Sequence, residues 1–238
     1  MKEIFEQTAV LIPTYNEKDN IAKLCRDILA ICPDLNIFVI DDNSPDGTGS
    51  IVRGLADVDP RIFLISRKRK SGLGAAYIEG METALKGGYG AVLMMDGDFS
   101  HDPSHIPAMI KELQHCHVII GSRYVKGGSL KNWPWFRKLL SFSANALLTL
   151  FFCFRVKDGT SGFRLIRTGV LESIHYREIT SSGYSFLYEM LFRIYKKGYI
   201  IKEVPITFID RRFGVTKISQ NEIIKAFFTL LRLLFKRC

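Results

Sequence analysis

Short apolar runs alternate with longer helical patterns through the first half of the chain. Each run has the length of a strand buried on both faces, and the segments between the runs repeat apolar residues at the spacing of a helix. The runs predict strands at residues 8–13, 36–40, 61–66, 91–95 and 117–121, and the segments between them predict helices at 18–31, 49–58, 75–86 and 104–114. This alternation predicts an α/β fold of βαβ units with a mostly parallel sheet and right-handed crossovers.

The second half of the chain is less regular. It predicts a helix, a glycine-broken loop that leads into a strand, a second helix and a second strand, at residues 132–152, 158–164, 186–197 and 199–209. Pro205 indicates an edge position for the second strand, because proline cannot donate to a ladder. Ser219 and Glu222 have the spacing of a capping box and begin a last helix. We therefore expect one domain over 1–218, in halves 8–125 and 126–218, and then an amphipathic helix over 219–238.

Two carboxylates follow the apolar run at residues 91–95. Asp96 and Asp98 are separated by Gly97 and stand where a buried strand reaches the edge of the sheet, which is where ligands bind in open α/β folds. Mg²⁺ is usually held by one or two carboxylates together with substrate phosphates. The sequence therefore favours a Mg²⁺ or Mn²⁺ site for a diphosphate here, although an isolated triplet of this kind is more often a turn.

Polar side chains also follow the first two strands. Tyr15 and Glu17 come after the first, and Asp41 and Asp42 after the second, so a doubly wound sheet would bring them to the same crevice as the acidic pair. Because two sets of carboxylates would repel one diphosphate, we expect Asp41 and Glu17 at the base and ribose end. For Glu17 a capping-box contact with Thr14 is an equal alternative. For Asp42 we favour a cap on the turn that follows it.

Basic residues are candidates for binding phosphate groups. The loop at 67–74 contains glycines that open a helix and leave N–H groups for an anion, but it lacks the spacing of a P-loop, and a solvated basic turn is an equal alternative. Guanidinium forks suit phosphate geometry. A single basic residue of this kind is more often a solvated surface residue, but five of them occur in the second half of the chain. Taken as a group they suggest a second phosphate-binding subsite. They are Arg123, Arg137, Arg164, Arg211 and Lys217. We expect His105 and His117 to be structural.

The overall composition narrows the classes of function. The 238 residues carry 33 Lys and Arg against 24 Asp and Glu, and the net charge of +9 suggests an anionic partner such as nucleic acid, a membrane surface or phosphorylated ligands. The five cysteines form no Cys-x-x-Cys pair, which argues against a disulfide framework and a zinc site. The first residues lack the apolar core of a signal peptide, and no run of about 18 apolar residues occurs. We therefore expect a cytoplasmic protein without a membrane-spanning segment.

Seven motifs stand in order along the chain. They are Pro13 to Glu17, Asp41 to Thr48, Gly72-Leu73-Gly74, Asp96-Gly97-Asp98, Gly121 to Tyr124, Thr160 to Arg164 and Asp210 to Lys217. As a set they resemble the dolichyl-phosphate (polyprenyl-phosphate) mannosyltransferases of glycosyltransferase family 2, and the resemblance extends from residue 9 to the last helix. It implies a GT-A fold, which is a Rossmann-like nucleotide-sugar domain, and inverting transfer of mannose from GDP-mannose to the phosphate of dolichol or another polyprenol.

The resemblance also implies roles for individual residues. The guanosine would be contacted by Pro13, Tyr15, Glu17, Val39 and Asp41. Asp96 and Asp98 would hold Mg²⁺ or Mn²⁺ on the diphosphate, with the backbone of Gly97 close by. The phosphates of donor and acceptor would be contacted by Arg123, Arg211 and Lys217, and the lipid phosphate would lie near Arg123, Arg137 and Ser141. Asp98, Arg123 and Arg211 are then the expected catalytic residues.

Two departures from the family pattern lie in the acidic motif. Gly97 stands where alanine is common, and Ser100 stands where many relatives have glutamine, which puts a third protein contact to the metal in question. The chain also lacks the C-terminal transmembrane helices that some relatives carry, so we expect the short, peripheral form. The pattern of its last helix, 219–238, predicts contact with an anionic membrane surface on the cytoplasmic side. Whether a small partner subunit anchors the protein to the membrane is left open by the sequence.

The chemistry of a lipid phosphate agrees with the residue types. A sugar hydroxyl would need a general base, whereas a lipid phosphate has a second pKa near ~6 and is already an anionic nucleophile at neutral pH. Such an enzyme needs cations for the acceptor and a metal for the departing diphosphate, and we name no base. One alternative is a family 2 transferase that uses UDP-glucose or another UDP-sugar. A nucleic-acid-binding module would explain the charge but has no use for carboxylates at three strand ends.

Overall fold

A mostly parallel sheet forms the centre of the protein. The computed structural model describes residues 7–152, 155–181, 183 and 185–210. The strands within these residues are β1 (Thr8–Thr14), β2 (Asn36–Asp41), β3 (Ile62–Ser66), β4 (Ala91–Met94), β5 (Val118–Ser122), β6 (Ser129–Lys131), β7 (Arg164–Arg167), β8 (Ile201–Pro205) and β9 (Thr207–Ile209). Seven of them form one sheet in the order β3-β2-β1-β4-β7-β5-β8, and β6 pairs with β9 in a small second sheet.

Strand β7 is the exception to the parallel order. It runs antiparallel between β4 and β5, while β1 pairs in parallel with β2 and β4, and β5 pairs in parallel with β8. We predicted a strand near residue 164 but not its place in the middle of the sheet. The insertion separates β4 from β5, so the polar groups that follow these two strands do not lie at the ends of neighbouring strands.

Helices cover both faces of the sheet. They are α1 (Ile21–Ile31), α2 (Thr48–Val58), α3 (Leu73–Lys86), α4 (Ile106–Leu113), α5 (Trp135–Phe152), α6 (Thr168–Ser173) and α7 (Ser185–Lys196). Side chains alternate between the faces of a strand. In β1, Leu11 therefore packs into a core with α3 and α7, while Ile12 packs into a second core with α1 and α4. This double burial is the reason that the strands are continuous apolar runs rather than alternating ones.

The predicted strand over 199–209 is two strands. β8 ends at Pro205, and β9 begins at Thr207 and belongs to the small sheet. Ile206 between them donates its backbone N–H to the carbonyl of Ser122 at 3.0 Å, which marks the point where the chain leaves the main sheet. β8 is the outer strand of the main sheet, so the edge position indicated by Pro205 is confirmed.

Two histidines are structural, as predicted. Nε2 of His105 accepts a hydrogen bond from the backbone N–H of Thr207 at 3.0 Å, and Nδ1 of His117 accepts one from Ile200 at 3.2 Å. None of the described helices is long and apolar enough to cross a bilayer. The predicted helix over 219–238 lies outside the described residues.

Candidate active site

The acidic turn lies at the carboxyl end of β4, in the middle of the sheet. The side chain of Asp96 is 33% exposed. Asp98 is buried, and its Oδ1 accepts a hydrogen bond from the backbone N–H of Ser100 at 3.0 Å. A Cβ on Gly97 would lie 3.4 Å from Cγ2 of Thr14, which is an ordinary contact. An alanine would therefore fit at residue 97, and the turn packs against the end of β1.

A buried histidine holds the backbone of this turn. Nδ1 of His101 accepts a hydrogen bond from the backbone N–H of Asp96 at 3.0 Å, so the neutral ring carries its proton on Nε2. The ring stacks on Phe163 at 4.9 Å and meets Phe208 edge-on at 5.5 Å. Burial lowers the pKa of His101 to about 4. We did not predict this contact from the sequence, although a histidine three residues after Asp98 in a polar turn was a signal.

The acidic turn borders a cavity of roughly 200 Å³. Asp96 and Asp98 line it together with Arg123, which directly follows β5, and with Arg137 and Ser141 on α5. Apolar and aromatic side chains complete the lining, among them Leu73, Tyr77, Leu140, Leu187 and Phe208. The structure therefore brings the predicted metal residues and the predicted acceptor residues to one cavity.

Arg123 is held by a carboxylate that we did not single out in the sequence. Asp158 accepts hydrogen bonds from Nε, Nη2 and the backbone N–H of Arg123 at 2.7, 2.6 and 2.9 Å. Both side chains are buried, with 6% and 0% exposed. Burial alone would raise the pKa of Asp158, but the hydrogen bonds and charge of Arg123 hold it below its usual value. Nη2 of Arg123 also donates to Oγ1 of Thr160 at 2.5 Å.

Arg137 lies at the start of α5 between an aromatic ring and a carboxylate. Its guanidinium carbon is 4.4 Å from the centre of the Trp133 ring, and Nη1 donates to both carboxylate oxygens of Asp210 at 3.0 and 3.1 Å. Ser141 lies one turn later on the same face of the helix and also lines the cavity. These contacts fix the position of Arg137 at the rim of the cavity.

Arg164, the first residue of β7, does not belong to the predicted phosphate-binding set. It is fully buried and donates to the backbone carbonyls of Ser161, Leu187 and Gly159 at 2.7, 2.8 and 2.8 Å. Burial lowers its pKa to about 10, so the guanidinium stays charged at neutral pH. These three hydrogen bonds hold the loop before β7 against α7. The prediction of a phosphate contact for this residue is therefore wrong.

Asp41 caps the turn after β2. Its carboxylate accepts hydrogen bonds from the hydroxyl of Thr14 at 2.9 Å and from the hydroxyl and backbone N–H of Ser44 at 2.6 and 3.0 Å. A Cβ on Gly49 would lie 3.2 Å from Asp41 Oδ2, so the start of α2 packs tightly on this carboxylate. We predicted the turn cap for the neighbouring Asp42, and that prediction is wrong.

Asp42 instead holds the basic loop before α3. Its carboxylate accepts hydrogen bonds from the backbone N–H groups of Ser71 and Gly72 at 3.0 and 2.9 Å and pairs with the guanidinium of Arg67. The N–H groups at the start of α3 therefore meet an anion, as the glycines indicated, but the anion is a carboxylate of the protein. Residues 68–71 are nevertheless exposed, so the alternative of a solvated basic turn describes the middle of this loop.

Four further residues predicted for the donor lie in β1 or β2 or directly after β1, and none of them lines the cavity. Glu17 is buried and accepts a hydrogen bond from the side chain of Asn20 at 2.9 Å. The ring of Tyr15 lies 3.6 Å below the Lys70 ammonium. Val39 is fully buried, and Pro13 is half-buried one residue before Thr14. Contacts of these residues with guanosine stay predictions.

Comparison with known proteins gives the family. The model of glycosyl transferase family 2 matches residues 9–174, more than half of the chain. This chain belongs to glycosyl transferase family 2. It is 40% identical over 225 residues to polyprenol monophosphomannose synthase of Mycolicibacterium smegmatis, covering 94% of this chain and 85% of the relative. It is 37% identical over 209 residues to undecaprenyl-phosphate mannosyltransferase of Micrococcus luteus, covering 88% and 86%.

Solved structures show the fold of this family 2 member. Glucosyl-3-phosphoglycerate synthase of Mycobacterium tuberculosis, in complex with Mn²⁺, UDP-glucose and phosphoglyceric acid, matches with a TM-score of 0.73 at 16% identity, covering 99% of this chain and 84% of the other. A mannosyltransferase of Pyrobaculum calidifontis, in complex with GDP-mannose and Mn²⁺, matches with a TM-score of 0.62 at 17% identity, covering 95% and 64%. The predicted GT-A fold is thereby confirmed. Membership of glycosyl transferase family 2, and not the structural likeness, replaces the nucleic-acid-binding alternative with glycosyl transfer.

The acidic turn of this glycosyltransferase fits a divalent cation that binds together with a substrate. Asp96, Asp98 and Ser100 all line the cavity. In the described part of the chain, no group of three His, Cys, Asp or Glu side chains could hold a metal ion by itself. Two carboxylates completed by substrate phosphates are a usual arrangement for Mg²⁺. Arg211 and Lys217 lie outside the described residues, and their roles stay predictions.

Proposed function

We propose that this glycosyltransferase transfers mannose from GDP-mannose to the phosphate of dolichol or another polyprenol, with inversion at the sugar. One observation carries the proposal: a single cavity is lined by the carboxylates of Asp96 and Asp98 and by the cations of Arg123 and Arg137. The first pair suits a metal-bound diphosphate and the second suits a phosphate acceptor. The names of the two relatives at 40% and 37% identity support the lipid phosphate as acceptor and mannose as the sugar.

The donor half would be held by the ends of β1, β2 and β4. Asp96 and Asp98 would hold Mg²⁺ or Mn²⁺, which when bound stabilises the negative charge that develops on the departing diphosphate. The guanosine would lie beside Pro13, Tyr15, Glu17, Val39 and Asp41. Arg123, Arg211 and Lys217 would contact the phosphates. His101 would keep the backbone of Asp96 in place through its 3.0 Å hydrogen bond.

The acceptor half would be held by the start of α5. A phosphate monoester is an anion at neutral pH, so its oxygen attacks the mannose carbon without loss of a proton. The new carbon–oxygen bond forms as the bond to the diphosphate breaks, and GDP leaves with the electron pair. Arg137 and Ser141 would bind and orient the phosphate, while Arg123 would neutralise charge between acceptor and donor. This chemistry needs no general base.

The lipid would approach along α5. Large apolar side chains are exposed on this helix, with Trp135 75%, Phe136 57%, Leu139 57% and Phe142 62% exposed. Lys138 and the net charge of +9 would favour an anionic membrane surface. We propose that α5 lies at the cytoplasmic face of the membrane, together with the predicted helix over 219–238. A small membrane-anchoring subunit is compatible with this arrangement.

A substrate-matrix assay tests the proposal. The purified chain is offered GDP-mannose or UDP-glucose, each with a short polyprenyl phosphate, and with Mg²⁺, Mn²⁺ or a chelator. We expect released GDP and a mannolipid only with GDP-mannose, lipid phosphate and a divalent cation. Transfer from UDP-glucose instead would show that the enzyme uses a UDP-sugar as donor. Release of GDP without a glycolipid product would contradict the proposal that a lipid phosphate is the acceptor.

A further inference from the structure

Helix α5 is attached to the cavity wall by one buried polar side chain. Among the side chains of α5 that the structure describes, Asn145 is the only buried one, with 6% exposed. It lies one turn after Ser141 and two turns after Arg137, on the face of the helix that borders the cavity. A buried amide costs free energy unless it is hydrogen-bonded, so an apolar residue would be the expected choice for simple packing.

Asn145 forms a reciprocal pair with Thr160. Nδ2 of Asn145 donates to Oγ1 of Thr160 at 3.1 Å, and Oδ1 of Asn145 accepts from the backbone N–H of Thr160 at 3.2 Å. Nδ2 also donates to the carbonyl of Ser141 at 3.0 Å, which fixes the rotamer of the amide. Two opposed hydrogen bonds define both the distance and the rotation between α5 and the loop before β7.

Hydrogen bonds of Thr160 connect Asn145 to Arg123. A hydroxyl has one hydrogen to donate and two lone pairs to accept. Oγ1 of Thr160 donates to Asp158 at 3.1 Å and accepts from Asn145 at 3.1 Å and from Nη2 of Arg123 at 2.5 Å, so its capacity is filled. Since Nε and Nη2 of Arg123 are used by Asp158 and Thr160, Nη1 is the guanidinium nitrogen that can turn to a ligand.

We propose that Asn145 is a positioning residue that sets the spacing between the acceptor-binding start of α5 and Arg123. The inference rests on the proposed function. Arg137 and Ser141 move with α5, while Arg123 is fixed by the end of β5 and by Asp158. The Asn145–Thr160 pair joins these two parts, and a phosphate that must reach both guanidinium groups depends on their separation.

Four variants test this inference. Asn145→Leu keeps a buried side chain of similar size but removes the pair, and Thr160→Val removes the shared hydroxyl. Thr160→Ser keeps the hydroxyl and is the conservative variant. Ser143→Ala lies on the exposed side of the same helix and is the matched control. Steady-state constants are measured with a short polyprenyl phosphate and with GDP-mannose, and GDP affinity is measured by calorimetry.

We expect the substitutions to change the KM for the lipid phosphate more than they change the affinity for GDP. Asn145→Leu loses both hydrogen bonds to Thr160, and Thr160→Val loses the hydrogen bonds of the hydroxyl to Asn145, Arg123 and Asp158. Each variant should raise the acceptor KM roughly tenfold. In Asn145→Leu, GDP affinity should stay within about twofold of the wild type, because Asn145 itself makes none of the contacts predicted for the donor. The effects of the two substitutions on the acceptor KM should not multiply in full in the double variant, since both break the hydrogen bond between Nδ2 of Asn145 and Oγ1 of Thr160. Thr160→Ser should retain most of the wild-type acceptor KM.

Other outcomes overturn the inference. If Asn145→Leu weakens the binding of the lipid phosphate and of GDP equally, Asn145 has a general structural role. If the effects of Asn145→Leu and Thr160→Val on the acceptor KM multiply in the double variant, the two residues do not act through a shared hydrogen bond. If the wild type transfers mannose and Asn145→Leu behaves like Ser143→Ala, only this inference fails. If the wild type transfers no mannose from GDP-mannose, the proposed function fails and the positioning role fails with it.

Discussion

Replacing Asp158 by asparagine would leave the Arg123 guanidinium buried without a countercharge. The carboxylate accepts three hydrogen bonds from Arg123, and the two side chains are 0% and 6% exposed, so solvent screens this pair very little. Asparagine has nearly the same shape but no charge and only one acceptor oxygen. The substitution therefore isolates the charge of the pair from its packing.

The expected cost is large for a single substitution. Removing one partner of a buried ion pair costs on the order of 3–5 kcal/mol. Because asparagine keeps one acceptor, we expect a loss of about 3 kcal/mol in the free energy of unfolding. The exposed pair of Lys23 and Asp27 on α1, with side chains 61% and 35% exposed, is the matched control. Asp27→Asn should cost less than about 0.5 kcal/mol, because solvent screens that pair.

Urea unfolding, monitored by circular dichroism, measures the loss of unfolding free energy in Asp158→Asn and in Asp27→Asn. The dependence of the Asp158→Asn loss on pH tests whether it comes from the charge of the carboxylate. The pKa of Asp158 is lower in the folded protein than its usual 3.8, so folding favours the charged carboxylate. The contribution of the pair is thus fully present above about pH 4 and is lost as the pH falls through the folded pKa. The difference between the wild type and Asp158→Asn should narrow below about pH 4. A loss no larger than that of Asp27→Asn, or a difference independent of pH, would refute the reasoning.

Three further predictions concern the proposed reaction. Asp98→Ala should still fold, with some loss of stability because the buried N–H of Ser100 loses its acceptor. It should lose turnover on the order of thousands-fold, measured as GDP release, and near-normal metal-dependent activity would contradict the metal role. Arg137→Ala should raise the KM for the lipid phosphate and leave GDP affinity, measured by calorimetry, nearly unchanged; equal losses would move this residue to the donor side. Phe136→Ser together with Phe142→Ser should weaken co-sedimentation with anionic vesicles without changing GDP affinity, and the binding of the unaltered chain should weaken with salt. Unchanged sedimentation would exclude this face of α5 as the membrane contact.

The order of elements in the first half could be predicted from the sequence because the signal is local. The run from Ala91 to Met95 is apolar because both faces of β4 are covered by helices, and this double burial leaves no alternation in the pattern. The acidic turn was predictable for the same reason, since charges directly after a buried run mark the edge of the sheet. The helix starts were less accurate: the helix predicted from residue 18 begins at Ile21.

Parts of the site could not be predicted because they depend on distant partners. Asp158 lies 35 residues from Arg123, and Asp42 lies 30 residues from Gly72. The sequence does not distinguish a carboxylate that accepts hydrogen bonds from its own turn from one that accepts them from a distant loop. The choice between Asp41 and Asp42 as the turn cap was therefore wrong, and Arg164 was assigned to phosphate binding when it binds three carbonyls of the chain.

By itself, the sequence determined the α/β class, the buried strands, the acidic pair at the end of β4 and, through its motifs, the family resemblance. Only the tertiary structure decided that β7 runs antiparallel between β4 and β5 and brings the loop with Asp158 and Thr160 beside Arg123. The physical reason is that local periodicity reports which face of an element is buried, whereas strand order and ion pairing depend on contacts between residues that are distant in the chain.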